Sequence, residues 1–159
     1  MIVADTNLVA QLILNLDQTR KAQAVYRLES DWRMPSLWQH EFLNVLASYL
    51  RFDRIPIAPL LAAWNRALDV FGSAACEVDM PEALRIAGRC GISAYDAQYV
   101  ALAQALNVPW VTEDRKLLRA VPHQALSISQ YLASKASARP PIGTECDVPG
   151  SRPDPNLGE

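Results

Sequence analysis

The chain reads as an α/β protein with a central, mostly parallel sheet of four to five strands and helices on both faces. Three observations predict this. Short apolar runs alternate with stretches of helical periodicity, and strands separated by helices need crossovers that cover both sheet faces. Helix start and stop residues fall where that alternation needs them. At 159 residues and 50% hydrophobic content, there is enough apolar material for the core of one domain.

The elements follow in order. Met1–Ala4 is a strand, and a helix begins near Asn7. Thr19–Leu28 has helical spacing, and Asp31–Pro35 leaves room for a short strand. The longest helix is expected over Leu37–Phe52, with Trp38, Phe42, Val45, Leu46 and Tyr49 at helical intervals. Pro56 and Pro59 interrupt before a helix over Leu60–Phe71. Ala74–Val78 is a brief strand, and Pro81 is placed to open a helix running to Cys90. Gly91 suits a helix stop, and Ser93-Ala94-Tyr95-Asp96 has N-cap spacing for a helix to Leu106. Val108–Thr112 is a strand, Arg115–Ala120 a short helix, and Ala125–Ile128 a last strand before a terminal helix. The compact domain is expected over residues 1–135. Beyond it, residues 136–159 are rich in Pro and Gly and poor in large apolar groups, a composition that cannot offset ordering entropy and predicts a flexible tail.

Residues 1–135 hold 13 bases and 13 acids, a neutral body in which no strongly basic face announces nucleic acid by electrostatics alone. Arg51, Arg54, Arg115, Lys116 and Arg119 would form a positive rim only if some of the acids were neutralised. Cys76, Cys90 and Cys146 lack metal-ligand or redox spacing and predict no disulfide framework. No basic leader precedes the first apolar run, and no segment approaches the roughly 18 apolar residues of a membrane span. The expectation is a cytoplasmic protein without a membrane role.

Four acids stand where a charge is out of place. Asp5 closes the first apolar run and Asp114 follows Val108–Thr112; Glu41 sits inside the apolar stretch Leu37–Leu46, and Asp96 sits within Tyr95–Ala103. In a parallel sheet, ligands bind at the carboxyl ends of strands, where strand order reverses. Asp5 and Asp114 would emerge on that edge, with Asp96 in the first turn of a helix beside it. Gathered carboxylates repel and raise one another's pKa, and hard divalent ions, which prefer oxygen ligands, relieve the repulsion. The chemistry indicated is metal-dependent hydrolysis, with phosphodiesters the first substrate to consider.

Each acid also has a structural reading. Asp5 and Asp114 have the position of N-caps, and Asp96 that of a first-turn acid. Glu113 is a rival to its neighbour Asp114. Glu41 is the hardest to explain this way: it reads as interior to its helix, beside the buried stripe, with Asn44 at i+3 placed to hold it. His40 and His123 have no partners that suggest ligation or general-base work. Trp32, Trp38, Trp64 and Trp110 read as core or interface. There is no nucleophile elbow and no glycine-rich phosphate loop.

Four segments, Ile2–Asn7, His40–Leu46, Gly91–Ala103 and Trp110–Leu118, resemble PIN domains in order and approximate spacing, the nearest branch being the VapC-type toxins of bacterial toxin–antitoxin modules. The resemblance covers residues 1 to about 135. It implies a small α/β/α nuclease that dimerises, with Asp5, Glu41, Asp96 and Asp114 as an acidic quartet binding Mg²⁺ or Mn²⁺. Asn7, Asn44 and Thr112 match supporting polar positions, and Thr6 lies within the first motif. The implied substrate is RNA. The implied partner is a cognate antitoxin that inserts a C-terminal segment into or beside the acidic groove. Two other readings stay open: a housekeeping nuclease with the same site and no antitoxin, and a non-catalytic module whose acidic groove grips an Arg-rich peptide.

Overall fold

The structure, a computed structural model, describes residues 1–137. Five strands, β1 (Ile2–Ala4), β2 (Trp32–Pro35), β3 (Ala75–Cys76), β4 (Trp110–Val111) and β5 (Ala125–Leu126), form one sheet in the order β3-β2-β1-β4-β5. Every pairing is parallel. Eight α-helices lie among the described residues: α1 (Thr6–Leu14), α2 (Thr19–Leu28), α3 (Trp38–Arg51), α4 (Ile57–Phe71), α5 (Met80–Cys90), α6 (Ala94–Leu106), α7 (Arg115–Ala120) and α8 (Ile128–Ser137).

Side chains alternate across the strands, and this divides the core in two. Ile2, Ala4, Trp32, Met34 and Val111 pack on one side with α1, α2, α3, α4 and α8. Val3, Trp110 and Ala125 pack on the other with α5, α6 and α7. The result is a three-layer α/β/α sandwich, buried on both sheet faces as the continuous apolar runs require. Strand order reverses between β1 and β4, where Val3 pairs with Trp110 and Ala4 with Val111. The carboxyl ends of these two strands open side by side there.

Several expectations need correction. The expected strands over Ala74–Val78, Val108–Thr112 and Ala125–Ile128 contract to two residues each. Helix α4 starts at Ile57 rather than Leu60; Pro59 falls in its first turn, where a missing N–H has no intrahelical partner to lose. Helix α8 runs to Ser137, the last described residue. The rest of the expected tail lies outside the described residues. Cys76 and Cys90 are free thiols. No helix among the described residues is long and apolar enough to cross a membrane.

Two glycines separate conformational need from mere presence. Gly91 closes α5 with φ 63°, a left-handed backbone that a side chain resists. Gly88 is an exposed residue inside α5 with open space where a methyl group would project. One substitution should therefore have opposite signs: Gly91→Ala is expected to cost about 1 kcal/mol and Gly88→Ala to gain about 0.5–1 kcal/mol, read by urea denaturation.

Candidate metal-binding active site

Asp5 is placed by the first βα junction. It follows β1 directly and caps α1, its Oδ1 accepting from the Asn7 N–H at 2.9 Å. Its Oδ2 accepts from the Thr112 hydroxyl at 2.6 Å. Thr112 follows β4 and is wholly buried, and its hydroxyl also accepts from the Asp114 N–H at 3.1 Å. One threonine thus ties together the two strand ends at the switch point. Asp114 then caps α7, its Oδ1 accepting from the N–H groups of Lys116 and Leu117. Asp96 is the third residue of α6 and shares a reciprocal link with the cap residue. Its N–H donates to Ser93 Oγ, and Ser93 Oγ lies 2.6 Å from Asp96 Oδ2 as donor.

Glu41 differs from its expected setting. Helix α3 begins at Trp38, so Glu41 belongs to the first turn rather than the interior. Asn44 does not hold it: among the described residues no hydrogen bond joins the two, and Asn44 is exposed on the cleft wall. Instead Glu41 Oε2 accepts from Thr6 Oγ1 at 2.7 Å and from the Tyr99 hydroxyl at 2.5 Å. Thr6, which follows Asp5, is buried. Tyr99 did not emerge from the sequence. Its place in an apolar helical stretch reads as core, and the ring is indeed core, stacked on Trp110 with centroids 5.5 Å apart. Only its hydroxyl reaches the site.

These groups meet in one cleft of about 260 Å³ lined by Asp5, Thr6, Asn7, Glu41, Asn44, Val45, Asp96, Tyr99, Asp114 and Leu117. The four acids from four remote segments therefore face a common space, with Thr112 behind Asp5. A pattern runs through their hydrogen bonds. In Glu41, Asp96 and Asp114 one carboxylate oxygen is committed to the scaffold. The other (Glu41 Oε1, Asp96 Oδ1, Asp114 Oδ2) has no hydrogen-bond partner among the described residues. Both oxygens of Asp5 are bonded once, which leaves each a lone pair.

The other candidates fall elsewhere. Glu113 turns to the far side, where Oε1 accepts from the Ile128 N–H at the start of α8. His40 and His123 are exposed and line no part of the cleft. Of the five basic residues expected at a rim, Lys116 lines a hollow that shares Asp96, Asp114 and Leu117 with the cleft; Arg51, Arg54, Arg115 and Arg119 are exposed and line neither. Trp32, Trp38 and Trp110 are buried core, and Trp64 is half-buried, stacked on Phe42.

Burial is the main reason that the Asp5 carboxyl is pushed up from 3.8 to about 6. The hydrogen bonds from Asn7 and Thr112 oppose that shift, and the charges of Glu41 and Asp96 add to it. Burial and the neighbouring Glu41 charge also hold the Tyr99 phenol far above its ordinary range, so it remains a donor. The donor set fits a hard divalent cation, because it is all oxygen and carries the repulsion a cation would relieve. No group of three His, Cys, Asp or Glu among the described residues is arranged to hold an ion.

The sign of the Asp5 effect follows from proton linkage. Between about pH 4 and 6 the native chain keeps a proton that the unfolded chain has lost, so metal-free stability falls as pH rises through that window. The loss reaches about 3 kcal/mol by pH 7 for a shift of this size. In chelator, Asp5→Asn should therefore be more stable than wild type at pH 7, with the advantage disappearing below about pH 4. Thermal melts across that range check this, and coincident pH profiles would contradict it.

Comparison with known proteins agrees with this architecture. A sequence model of the PIN domain family matches residues 2–123. The VapC ribonuclease Mb0985 of Mycobacterium bovis is 34% identical over 121 residues, covering 74% of this chain and 88% of the relative. Ribonuclease VapC9 of Mycobacterium tuberculosis aligns equally well. The crystal structure of PAE2754 from Pyrobaculum aerophilum superposes with a TM-score of 0.66 at 24% identity, over 86% of this chain and 99% of that one, and shares the fold. The chain belongs to the PIN domain family, in its VapC-type branch.

Proposed function

We propose that the protein is a metal-dependent endoribonuclease and the toxin of a toxin–antitoxin module, acting in the cytoplasm as a homodimer. The observation that carries this reading is the set of half-committed carboxylates: three acids with one oxygen fixed by the scaffold and the other turned free, around a buried fourth. The ribonuclease names of the two mycobacterial relatives support RNA as the substrate. A bound Mg²⁺ or Mn²⁺ would supply a water of lowered pKa and neutralise charge gathering on the phosphate.

The protein's own contribution is positional. Asp5 and Asp96 would be the direct ligands, with Asp5 oriented by Thr112 and Asn7, and Asp96 by Ser93. Asp114 and Glu41 complete the site directly or through water. Among the described residues no histidine, lysine or cysteine lines the cleft, so a proton leaving an attacking water would go to a carboxylate or to solvent.

Silencing by an antitoxin belongs to the same reading. An apolar groove lined by Leu43, Leu46, Leu50, Ile57, Leu61 and Trp64 runs between α3 and α4. Helix α3 also carries Glu41, Asn44 and Val45 of the acidic cleft. That arrangement suits a partner helix whose apolar side fills the groove while a basic residue reaches the carboxylates.

Incubating the purified chain with total RNA and Mn²⁺ should give discrete cleavage products, and EDTA should abolish them. Asp5→Asn or Asp96→Asn should leave a folded protein with activity down by at least about 100-fold, on the scale of removing a group that stabilises transition-state charge. Undiminished cleavage in EDTA would refute the mechanism. A folded, metal-binding chain that cleaves no RNA yet binds an Arg-rich peptide would favour the interaction module instead.

A further inference from the structure

Tyr99 raises a question that the metal site alone does not answer. Its ring is almost wholly buried, stacked nearly parallel on Trp110 of β4 at an interplanar angle of 14°. Phenylalanine would fill that place equally well. The hydroxyl nevertheless emerges at the floor of the acidic cleft and meets two oxygens there: Glu41 Oε2 at 2.5 Å and Thr6 Oγ1 at 2.7 Å. Thr6 Oγ1 in turn lies 2.7 Å from the same Glu41 oxygen. Three oxygens thus form a triangle with two hydroxyl protons, both available to one carboxylate oxygen.

The triangle joins separate parts of the fold. Thr6 opens α1 next to Asp5, Glu41 is in the first turn of α3, and Tyr99 is one turn along α6 from Asp96. Among the described residues, Tyr99–Glu41 is the only side-chain hydrogen bond between α3 and α6. A glutamate has three side-chain torsions, and left to itself in a wet cleft it would sample many of them. Two hydroxyls closing on Oε2 fix the carboxylate plane and leave Oε1 directed away from the clamp. Preorganisation of this kind matters most where a ligand must be met without further rearrangement.

We propose that Tyr99 is a positioning residue: with Thr6 it clamps Glu41 Oε2 so that Oε1 is presented to the divalent ion or to its water shell. The proposal rests on the metal-site reading above and adds to it a residue outside the acidic quartet. It requires that Tyr99 act through Glu41 and through nothing else in the site.

The test is a double-mutant cycle with two readouts. Tyr99→Phe keeps the ring and its stack on Trp110, and the full-length variant should melt within a few degrees of wild type. Mn²⁺ affinity, from the Mn²⁺ dependence of the melting temperature, should weaken about 5- to 20-fold. In the Glu41→Gln background the same change should have less than a 2-fold effect. In the RNA assay kcat should fall about 10-fold or more with KM changed little. Thr6→Val should reproduce the loss, and Thr6→Ser, which keeps the hydroxyl, should restore it. Equal effects of Tyr99→Phe in both backgrounds, or none in either, would overturn the proposal. The Mn²⁺ readout does not depend on cleavage. If wild type binds Mn²⁺ but cuts no RNA, the nuclease reading fails while the clamp is still decided by the cycle.

Discussion

Electrostatic repulsion among carboxylates gathered where water is scarce constrains the rest of this site. Asp5 is only 9% exposed, yet it lies within reach of the charges of Glu41 and Asp96. Such an arrangement costs stability unless something else returns it. The chain mitigates the cost with hydrogen bonds from its own scaffold: a backbone N–H from α1 and the Thr112 hydroxyl for Asp5, two backbone N–H groups for Asp114, and a serine for Asp96. None of these donors carries a full positive charge, and no lysine or arginine pairs with any of the four acids among the described residues. Among the described residues that charge is left uncompensated, which is the condition under which a cation binds with most effect.

The fold explains how remote acids reach one another. A parallel sheet directs the carboxyl ends of all its strands to one edge, and the reversal between β1 and β4 opens a crevice there. Asp5 and Asp114 are brought in by the two strands flanking that crevice, and α3 and α6 approach it from opposite sheet faces. Capping and site-building use the same atoms. A carboxylate at an N-cap has one oxygen occupied by backbone N–H groups and the other left over, so a structural role for Asp114 is also a way of orienting it. The two readings that compete when each acid is considered alone are compatible in the folded chain.

Much of this was legible in the sequence, and the reason is local. The apolar runs that end in Asp5 and precede Asp114, the Ser93 cap with Asp96 three residues later, and the alternation of runs with helices all act over a few residues. What escaped depends on contacts between distant segments. Asn44 stood at the right helical spacing to hold Glu41, but that task goes to Thr6 and Tyr99, 35 and 58 residues away. Tyr99 could not be distinguished from core, because the ring is core and only one atom serves the cleft. The start of α3 carries no local signal, because its cap, Leu37, is in helical conformation and makes no side-chain capping bond. Pro59 misled in the opposite sense, since proline is tolerated in a first turn as well as before one.

One or two doubly charged ions are expected where the free oxygens of these acids converge. Crystals grown with excess Mn²⁺ and measured at the manganese absorption edge test that directly. The expected result is an anomalous peak within coordination distance of Asp5 and Asp96, with Asp114 and Glu41 bound to it or to its waters. Well-ordered carboxylates with no anomalous density between them, at a Mn²⁺ concentration that supports cleavage, would contradict it.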